Sequence, residues 1–551
     1  MMMLRSAWVE EADGIFIGSG HNALIAANYL ARAGARVIVL EAQGRIGGGL
    51  CTEEITLPLF RHNLHVFFVR WSPNYRIWRD LALDRYGMEI LTPEVQNAIP
   101  FQEGGGLATF HSLERSLEAI RRISPKDAET YARVHQEFSE LAARILDPLR
   151  FAPPLPEEEL IERLSRSLLG RRLLRWWRPS ALDLVRELFD HEAVRALILC
   201  NAAVRGYLPI LDVPWTGYIV VQALPVSHTG SLVRGGSAMA ARALAAALYA
   251  SGGRIFTRAP VERVLVENGR AIGVMLQDGR RIRARRFVCS SLPAPLTLGR
   301  LVEPSYLDPS LREALARYRW NEEALLGVHL ALSSPPCYRG VEPEDPLNRA
   351  LNQYVGYESS QALERSMRQI REGRLPEPPG LHVGIPTHFD PSQAPPGYAT
   401  AFAWVFVPTG PAAMARWEGS ECESYVQQIL ERWAEYAPDL TDRILAIAVH
   451  TPADTERWIP SMQWGDRHHG SYHPENFWAR RPHPALSHYR TPIEGLYLCG
   501  SGTFPGGSFT GQPGYNAATV IAEDLGYPRW WGPRRAEEVL AELENPGGTS
   551  R

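Results

Sequence analysis

Residues 14–23 read Gly-Ile-Phe-Ile-Gly-Ser-Gly-His-Asn-Ala, and residues 37–41 read Val-Ile-Val-Leu-Glu. The first is an apolar run ending in Gly18-x-Gly20-x-x-Ala23. A helical pattern follows, and the second apolar run ends in an acid 23 positions after Gly18. Each part has a mechanical job. Gly18 permits a tight turn, Gly20 lets a pyrophosphate approach the backbone, and Ala23 is small enough for the helix to pack closely on the strand. The N-terminus of that helix, with Ser19, His21 and Asn22 in the turn, then faces the phosphates. Glu41 is placed to hydrogen-bond an adenosine ribose. The full strand–helix–strand context, more than the glycines alone, makes this a dinucleotide-binding unit.

Directly after Glu41 comes Ala-Gln-Gly-Arg-Ile-Gly-Gly-Gly, residues 42–49. Consecutive glycines let backbone N–H groups crowd around phosphate or ribitol oxygens where any Cβ would collide. A nicotinamide enzyme needs no second Gly-rich loop so soon after the ribose acid. The stretch resembles the R-x-G-G element of flavoproteins of the amine oxidase and phytoene desaturase superfamily. That resemblance implies FAD, held by Ala42, Arg45, Gly47, Gly48 and Gly49.

Two later segments complete such a domain. Arg234-Gly-Gly-Ser introduces an Ala-rich helix that Gly252 and Gly253 end. Residues 254–257 and 261–266 then read as strands, Asn268-Gly269 and Asp278-Gly279 as turns, and 271–276 and 281–289 as further strands. The resemblance lays the first strand of this hairpin along the adenine, through Val261 and Val264. Near the C-terminus, Gly495-Leu-Tyr-Leu-Cys-Gly500 reads as a short buried strand. A Gly-rich loop runs from Ser501 and Gly502 to Gly511, and a helix with proline at its start carries Gly514, Asn516 and Ala517. A helix N-terminus at the flavin pyrimidine favours negative charge there.

Residues 490–517 resemble the C-terminal signature of bacterial phytoene desaturases and of their carotenoid-ketolase-like and pyridine-nucleotide-disulphide-oxidoreductase-domain-2-like relatives. One position departs from it: the usual histidine of T-H-P-G-G is Phe504. The implied fold class is α/β, a Rossmann-type FAD-binding domain (GR2-like) with an interleaved α+β substrate domain. The FAD-binding domain is expected at 1–90, 225–300 and 486–551, and the substrate domain at 91–224, largely helical, and 301–485.

Composition narrows the function. The chain has 551 residues and a formal net charge of −3, so no bulk attraction to nucleic acid is expected. Residues 1–11 lack the apolar segment of a secretory signal, and the apolar stretch at 238–250 is interrupted by Arg242 and too short to span a bilayer. Six scattered cysteines contain no C-x-x-C, suggesting neither a disulfide framework nor a zinc site. A cytoplasmic setting is expected. Lys126 is the only lysine, so a catalytic lysine is excluded unless it is Lys126. The resemblance to amine oxidases implies a lysine beside flavin N5, and its absence from a plausible position counts against that branch.

Hydride abstraction from a C–H bond asks little of side chains beyond holding the carbon in place. His62 and His65, in an alternating stretch expected to be a strand, and His228 are candidates near the flavin. The loop 465–473 adds His468, His469 and His473, with His483 and His488 downstream. The loop shows no helix-face metal spacing. The relatives resemble this chain at His469-Gly470 and Arg481-Pro482, and His469 is the expected substrate-side residue. Residues 160–179 interleave arginines with leucines and Trp176-Trp177, a composition that suits either an interfacial helix collecting an apolar substrate from anionic lipid or a solvated helix packed on the domain. Trp530-Trp531 could join that patch.

The expected function is an FAD-dependent oxidoreductase that desaturates or otherwise oxidises a long apolar, isoprenoid or polyene-like substrate, with oxygen or a quinone as electron acceptor. Redox-neutral cis–trans isomerisation or double-bond reduction, and a non-catalytic flavin-bearing protein, are the alternatives.

Overall fold

A computed structural model describes residues 8–545. The first sheet is built from segments far apart in the chain. Its order is Val261–Glu267, Arg270–Leu276, Arg281–Ser290, Trp8–Ile17, Val37–Leu40 and Arg254–Phe256, and Leu496–Leu498 also pairs with the end of Arg281–Ser290. Trp8–Ile17, Val37–Leu40, Arg254–Phe256, Arg281–Ser290 and Leu496–Leu498 run parallel. Their carboxyl ends therefore deliver Gly18, Glu41, Ser291 and Gly500 to one edge, where an open α/β sheet binds its ligand. The first strand begins six residues before the expected apolar run. Its polar half survives in the sheet because Glu10 pairs with Arg254 at 2.9 Å and Glu11 pairs with Arg285.

Three helices follow the sequence reading. His21–Arg32 is buried along almost its whole length, which its run of alanines allows. It crosses Gln512–Leu525 so closely that a Cβ on Gly514 would lie 2.2 Å from the Asn22 carbonyl oxygen. On another side Asn28 Nδ2 donates to Leu244 O of the helix Ala238–Ala250 at 2.9 Å.

The second sheet runs Ile444–His450, Glu323–Leu332, Ala399–Pro408, Leu381–Gly384, Asn352–Val355, Val95–Pro100 and Gly106–Phe110. Strand Ala399–Pro408 shows how it is used. Ala401, Ala403, Val405 and Val407 pack in one cluster with Ile429 and Trp433 of the helix Ser420–Tyr436. On the opposite face stand Phe402, Trp404 and Phe406, opposite His329, Gly327 and Leu325 of the adjacent strand, while His382 faces Trp404. Small residues thus admit the covering helix, and large aromatics project the other way. The helical expectation for 91–224 holds from residue 113 to 226, but Val95–Pro100 and Gly106–Phe110 are strands. They pair with each other, and Val95–Pro100 also pairs with Asn352–Val355, some 250 residues later.

The helical block contains the segment Glu192–Ile210, long and apolar enough to cross a membrane and 83% buried within the fold. It is a core element, and a longer apolar stretch than 238–250. The expected strand around His62 and His65 is reduced to His62–Asn63.

Candidate active site

A cavity of about 770 Å³ opens at the carboxyl edge of the first sheet and continues beneath the aromatic face of the second. Its first end is made largely of main chain. Gly18 takes φ of 88°, and a Cβ there would strike Ser291 Oγ at 2.4 Å. Beside Gly20 no protein atom lies within 4 Å of where a Cβ would stand, so open cavity meets bare backbone at the start of the first helix. The 42–49 loop lies back to back with this turn. Gly47 N donates to Ser19 O at 3.0 Å, and a Cβ on Gly48 would lie 3.4 Å from Gly20 Cα.

Glu41 is held by its surroundings: Ser19 N and Oγ donate to Oε2 at 2.9 and 2.6 Å, and Gln43 N donates to Oε1 at 2.8 Å. Arg45 sits over the Trp458 ring at 3.9 Å. The second helix adds its own N-terminus, starting after Gly511 in the left-handed region at φ 75°. There Thr510 Oγ1 and Gln512 Oε1 are buried without partners, in residues that line the cavity. Bare glycine backbone at Gly20, two converging helix N-termini and orphaned polar atoms at 510–512 fit a dinucleotide. Gly18–Asn22 would hold its pyrophosphate, Glu41 its ribose and the 500–512 loop its ring system.

Of the residues expected from sequence, Gly18, Ser19, Gly20, His21, Asn22, Glu41, Ala42, Arg45, Gly48, Gly49, Val261, Gly500, Ser501, His65, His468 and His469 line the cavity. The other residues expected to hold the cofactor stand behind it. Val264 is buried in the apolar core with Ile15 and Ile38, and Val261 packs at the edge of the same cluster. Ala23, Gly514 and Ala517 let the two helices meet. Gly47 packs on Ala241, and Gly502 lies against the His469 carbonyl oxygen. Asn516 Nδ2 donates to the carbonyls of Arg150 and Ala152 at 3.1 and 3.3 Å and to Tyr489 Oη at 2.9 Å, tying the helix to its surroundings.

The far end of the cavity is made of side chains. Phe67, Phe68, Ile219, Ala223, Leu325, Trp404 and Phe406 supply apolar wall, and His65, His382, His468, His469, Arg205 and Arg467 interrupt it. Burial, reinforced by the Arg481 charge and then His21, brings the His469 pKa down to about 3, and both its ring nitrogens are buried without partners. The ring is therefore neutral near pH 7. Arg481, fully buried, explains why its own neighbourhood stands out in the sequence. It donates to the carbonyls of His468, Ser471 and Ser501 at 2.8, 2.8 and 2.9 Å, stapling the His469 loop to the loop after Gly500.

Phe504 lies outside the cavity lining, packed on Trp478 at 5.1 Å between ring centroids, so the departure from T-H-P-G-G changes the core behind the site. Lys126 is 75% exposed in an ion pair with Asp190, leaving the cavity without any lysine. His62 bonds Thr56 Oγ1 at 2.8 Å and His228 bonds Tyr131 Oη at 2.8 Å, and neither lines the cavity. His473 and His483 accept from backbone N–H groups at the starts of short helical turns. Trp176 and Trp177 are buried, and Arg172 pairs with Glu137 and Glu140. The helix Leu168–Trp177 thus turns its tryptophans into the domain, while Leu168 is 71% exposed. Trp531 is buried and Trp530 partly exposed. Among the described residues no cluster suits a metal ion.

Sequence reasoning missed Arg205, Phe68, His382, Trp404, Phe406 and Arg467. The alternation of Ala and aromatic residues at 399–407 was a signal for a two-faced strand, but nothing local says which face meets a ligand.

Comparison with known proteins agrees with this geometry. The family described as flavin containing amine oxidoreductase matches residues 24–521. A limonene dehydrogenase subunit of Castellaniella defragrans is 31% identical over 97% of this chain and 98% of its own length. Pyridine nucleotide-disulfide oxidoreductase domain-containing protein 2 of Mus musculus is 29% identical over 94% of both chains. The crystal structure of an oxidoreductase from Methanosarcina mazei shares the fold with a TM-score of 0.59 at 16% identity, over 93% of this chain and 99% of that one.

Proposed function

This chain belongs to the flavin-containing amine oxidoreductase family and is an FAD-dependent oxidoreductase, and we propose that it oxidises a long apolar isoprenoid or polyene by desaturation or a related C–H oxidation. The observation that carries this reading is the continuity of the cavity: the dinucleotide cradle opens directly onto a chamber walled by Phe67, Phe68, Trp404, Phe406 and Leu325. The similarity to a protein named for limonene, a terpene hydrocarbon, supports the same class. Oxygen or a quinone is the proposed electron acceptor.

Bound FAD supplies a two-electron acceptor for hydride leaving a carbon. The chain's own residues do the rest. The aromatic walls bind the hydrocarbon and exclude water, which places the reacting carbon without any charged catalyst. His469, neutral and without a hydrogen-bond partner, can orient a substrate through a hydrogen bond, but with its pKa brought down to about 3 it is a weak proton acceptor. The N-terminus of Gln512–Leu525 offers partial positive charge to the ring system. The absence of an amine from the cavity separates this site from lysine-assisted chemistry.

The test is anaerobic titration of the yellow holoenzyme with isoprenoid hydrocarbons while following absorbance at about 450 nm. Bleaching with formation of a new double bond supports desaturation. Geometric isomers formed only after pre-reduction, or no spectral response to any long hydrocarbon, would overturn it.

A further inference from the structure

Arg205 sits in an irregular place for a reason the fold makes visible. The buried segment Glu192–Ile210 is regular only as far as Ala202, and it kinks within Ala203–Tyr207, where Gly206 takes a left-handed φ of 92°. Such a break re-aims a side chain at the cost of regular helical hydrogen bonding. Gly206 is required there, because a Cβ would meet the His468 ring at 2.2 Å. His468 in turn lies against Gly507 of the loop beside the cradle. The kink is thus keyed to the cradle through one histidine, and Arg205 beside it lines the cavity.

What faces Arg205 is unusual for a cation set this deep. Its Nη1 is buried without a hydrogen-bond partner, and the titratable groups acting on it are the neutral phenols of Tyr354 and Tyr207. The Phe68 ring lies 5.8 Å from the guanidinium carbon. The other arginine of this wall, Arg467, is neutralised by Glu323 through two bonds of 3.0 and 2.8 Å. The histidines nearby do not help: burial brings His382 to about 3 and His468 well below its usual value, so both are neutral. Arg70 and Arg150 also line the cavity with orphaned nitrogens, Arg150 sharing its stretch of wall with the carboxylate of Asp147.

A guanidinium held away from water without a counter-charge is costly, and its planar fork matches a carboxylate. We propose that Arg205 anchors a carboxylate at the end of the isoprenoid substrate, so that the natural ligand is an isoprenoid acid rather than a pure hydrocarbon. This rests on the long apolar substrate proposed above and adds its polar end.

The test measures binding to the FAD-loaded protein by titration calorimetry, at pH about 8 so that the acid is ionised. The probes are geranylgeranoic acid, its methyl ester, geranylgeranyl diphosphate and the shorter geranoic acid. The acid is expected to bind roughly tenfold or more tighter than the ester. Arg205→Met should erase that preference while leaving ester binding unchanged, and Arg205→Lys should restore part of it. Flavin content reports whether each variant is folded, and the acid–ester ratio in the unmodified protein stands even if one is not. Equal binding of acid and ester, a preference that survives in Arg205→Met, or tighter binding of the diphosphate would overturn the anchor. Equal binding of the long and short acids would leave the anchor standing and overturn the long apolar substrate. No binding of any probe would overturn both.

Discussion

The two ends of the cavity are built on opposite principles. The cradle is defined by atoms that are missing: at Gly18, Gly47, Gly500 and Gly514 a Cβ would collide with a neighbouring segment, and at Gly20 the bare backbone meets open cavity. The chamber is defined by atoms that are present, chiefly the large side chains of Phe67, Phe68, Trp404 and Phe406. The cradle therefore tolerates no additions, while the chamber tolerates exchange of one apolar group for another at the cost of a changed fit. A family built this way can keep its cofactor and vary its substrate.

The harshest way to break the contrast is Gly514→Val. The new Cβ would sit 2.2 Å from Asn22 O, and neither helix can move without dragging a cradle N-terminus with it. The expected result is protein that purifies colourless, with FAD affinity down by roughly 100-fold, about 3 kcal/mol. Retention of full flavin absorbance would show that the crossing of the helices does not set the cradle.

The chamber's framework should yield next. Glu323 and Arg467 form a buried pair, and Glu323→Ala leaves a guanidinium without its counter-charge. Removing one partner of such a pair costs about 3–5 kcal/mol. Glu323→Ala combined with Arg467→Met should recover a large part of this, and urea unfolding of the two variants measures the difference. Equal destabilisation would show that packing, and not the orphaned charge, carries the effect.

These two regions also differ in how far the sequence discloses them. A glycine that must be a glycine is visible as itself, and so Gly18, Gly20 and Glu41 could be named from spacing, and Gly48, Gly49 and Gly500 from glycine pattern together with the family resemblance. The strand–turn–helix units around them are local, and their periodicity survives in the chain. Val264 shows the limit: it lies in the strand expected along the adenine, but is buried in the apolar core with Ile15. The chamber draws on long-range pairings. Val95–Pro100 joins Asn352–Val355, and Leu381–Gly384 brings His382 opposite Trp404. Arg205 is hidden for a further reason, because the kink beside it leaves no signature in composition. It depends on Gly206 making room for a histidine more than 250 residues away in sequence.

Acid should sharpen the contrast, because histidines crowd the chamber's face of the second sheet. His329 is fully buried with both ring nitrogens unpartnered, beside His62 at 5.4 Å between rings. Burial first, then neighbouring histidines, hold its pKa well below the usual value, and burial brings His62 to about 3. Such groups stay neutral in the folded protein while their unfolded counterparts take up protons near pH 6.5. Stability is therefore fully present above about pH 6.5 and falls as pH drops toward the folded pKa values, by about 1.4 kcal/mol per pH unit for each histidine. His329→Phe should flatten that decline by about one proton's worth between roughly pH 6 and 4, with little change at neutral pH. An unchanged acid slope would place the titrating groups elsewhere.

The mildest effect is expected at Phe504, where the chain departs from its relatives' usual histidine. The side chain is fully buried against Trp478 and Phe477, on the core side of the loop rather than in the cavity. Phe504→His therefore puts an imidazole among aromatic rings. The cost should be about 1–2 kcal/mol of stability, the usual penalty for a polar group without a partner. The flavin spectrum and FAD affinity should not change, because the backbone of the loop, fixed by Tyr489 Oη donating to Phe504 O at 2.7 Å, stays in place. A shifted flavin band would mean that residue 504 reaches the ring system after all, and that side chains as well as main chain shape the cradle. An unshifted band with lowered unfolding stability keeps the division intact: the cradle reads the backbone, and what stands behind it only has to pack.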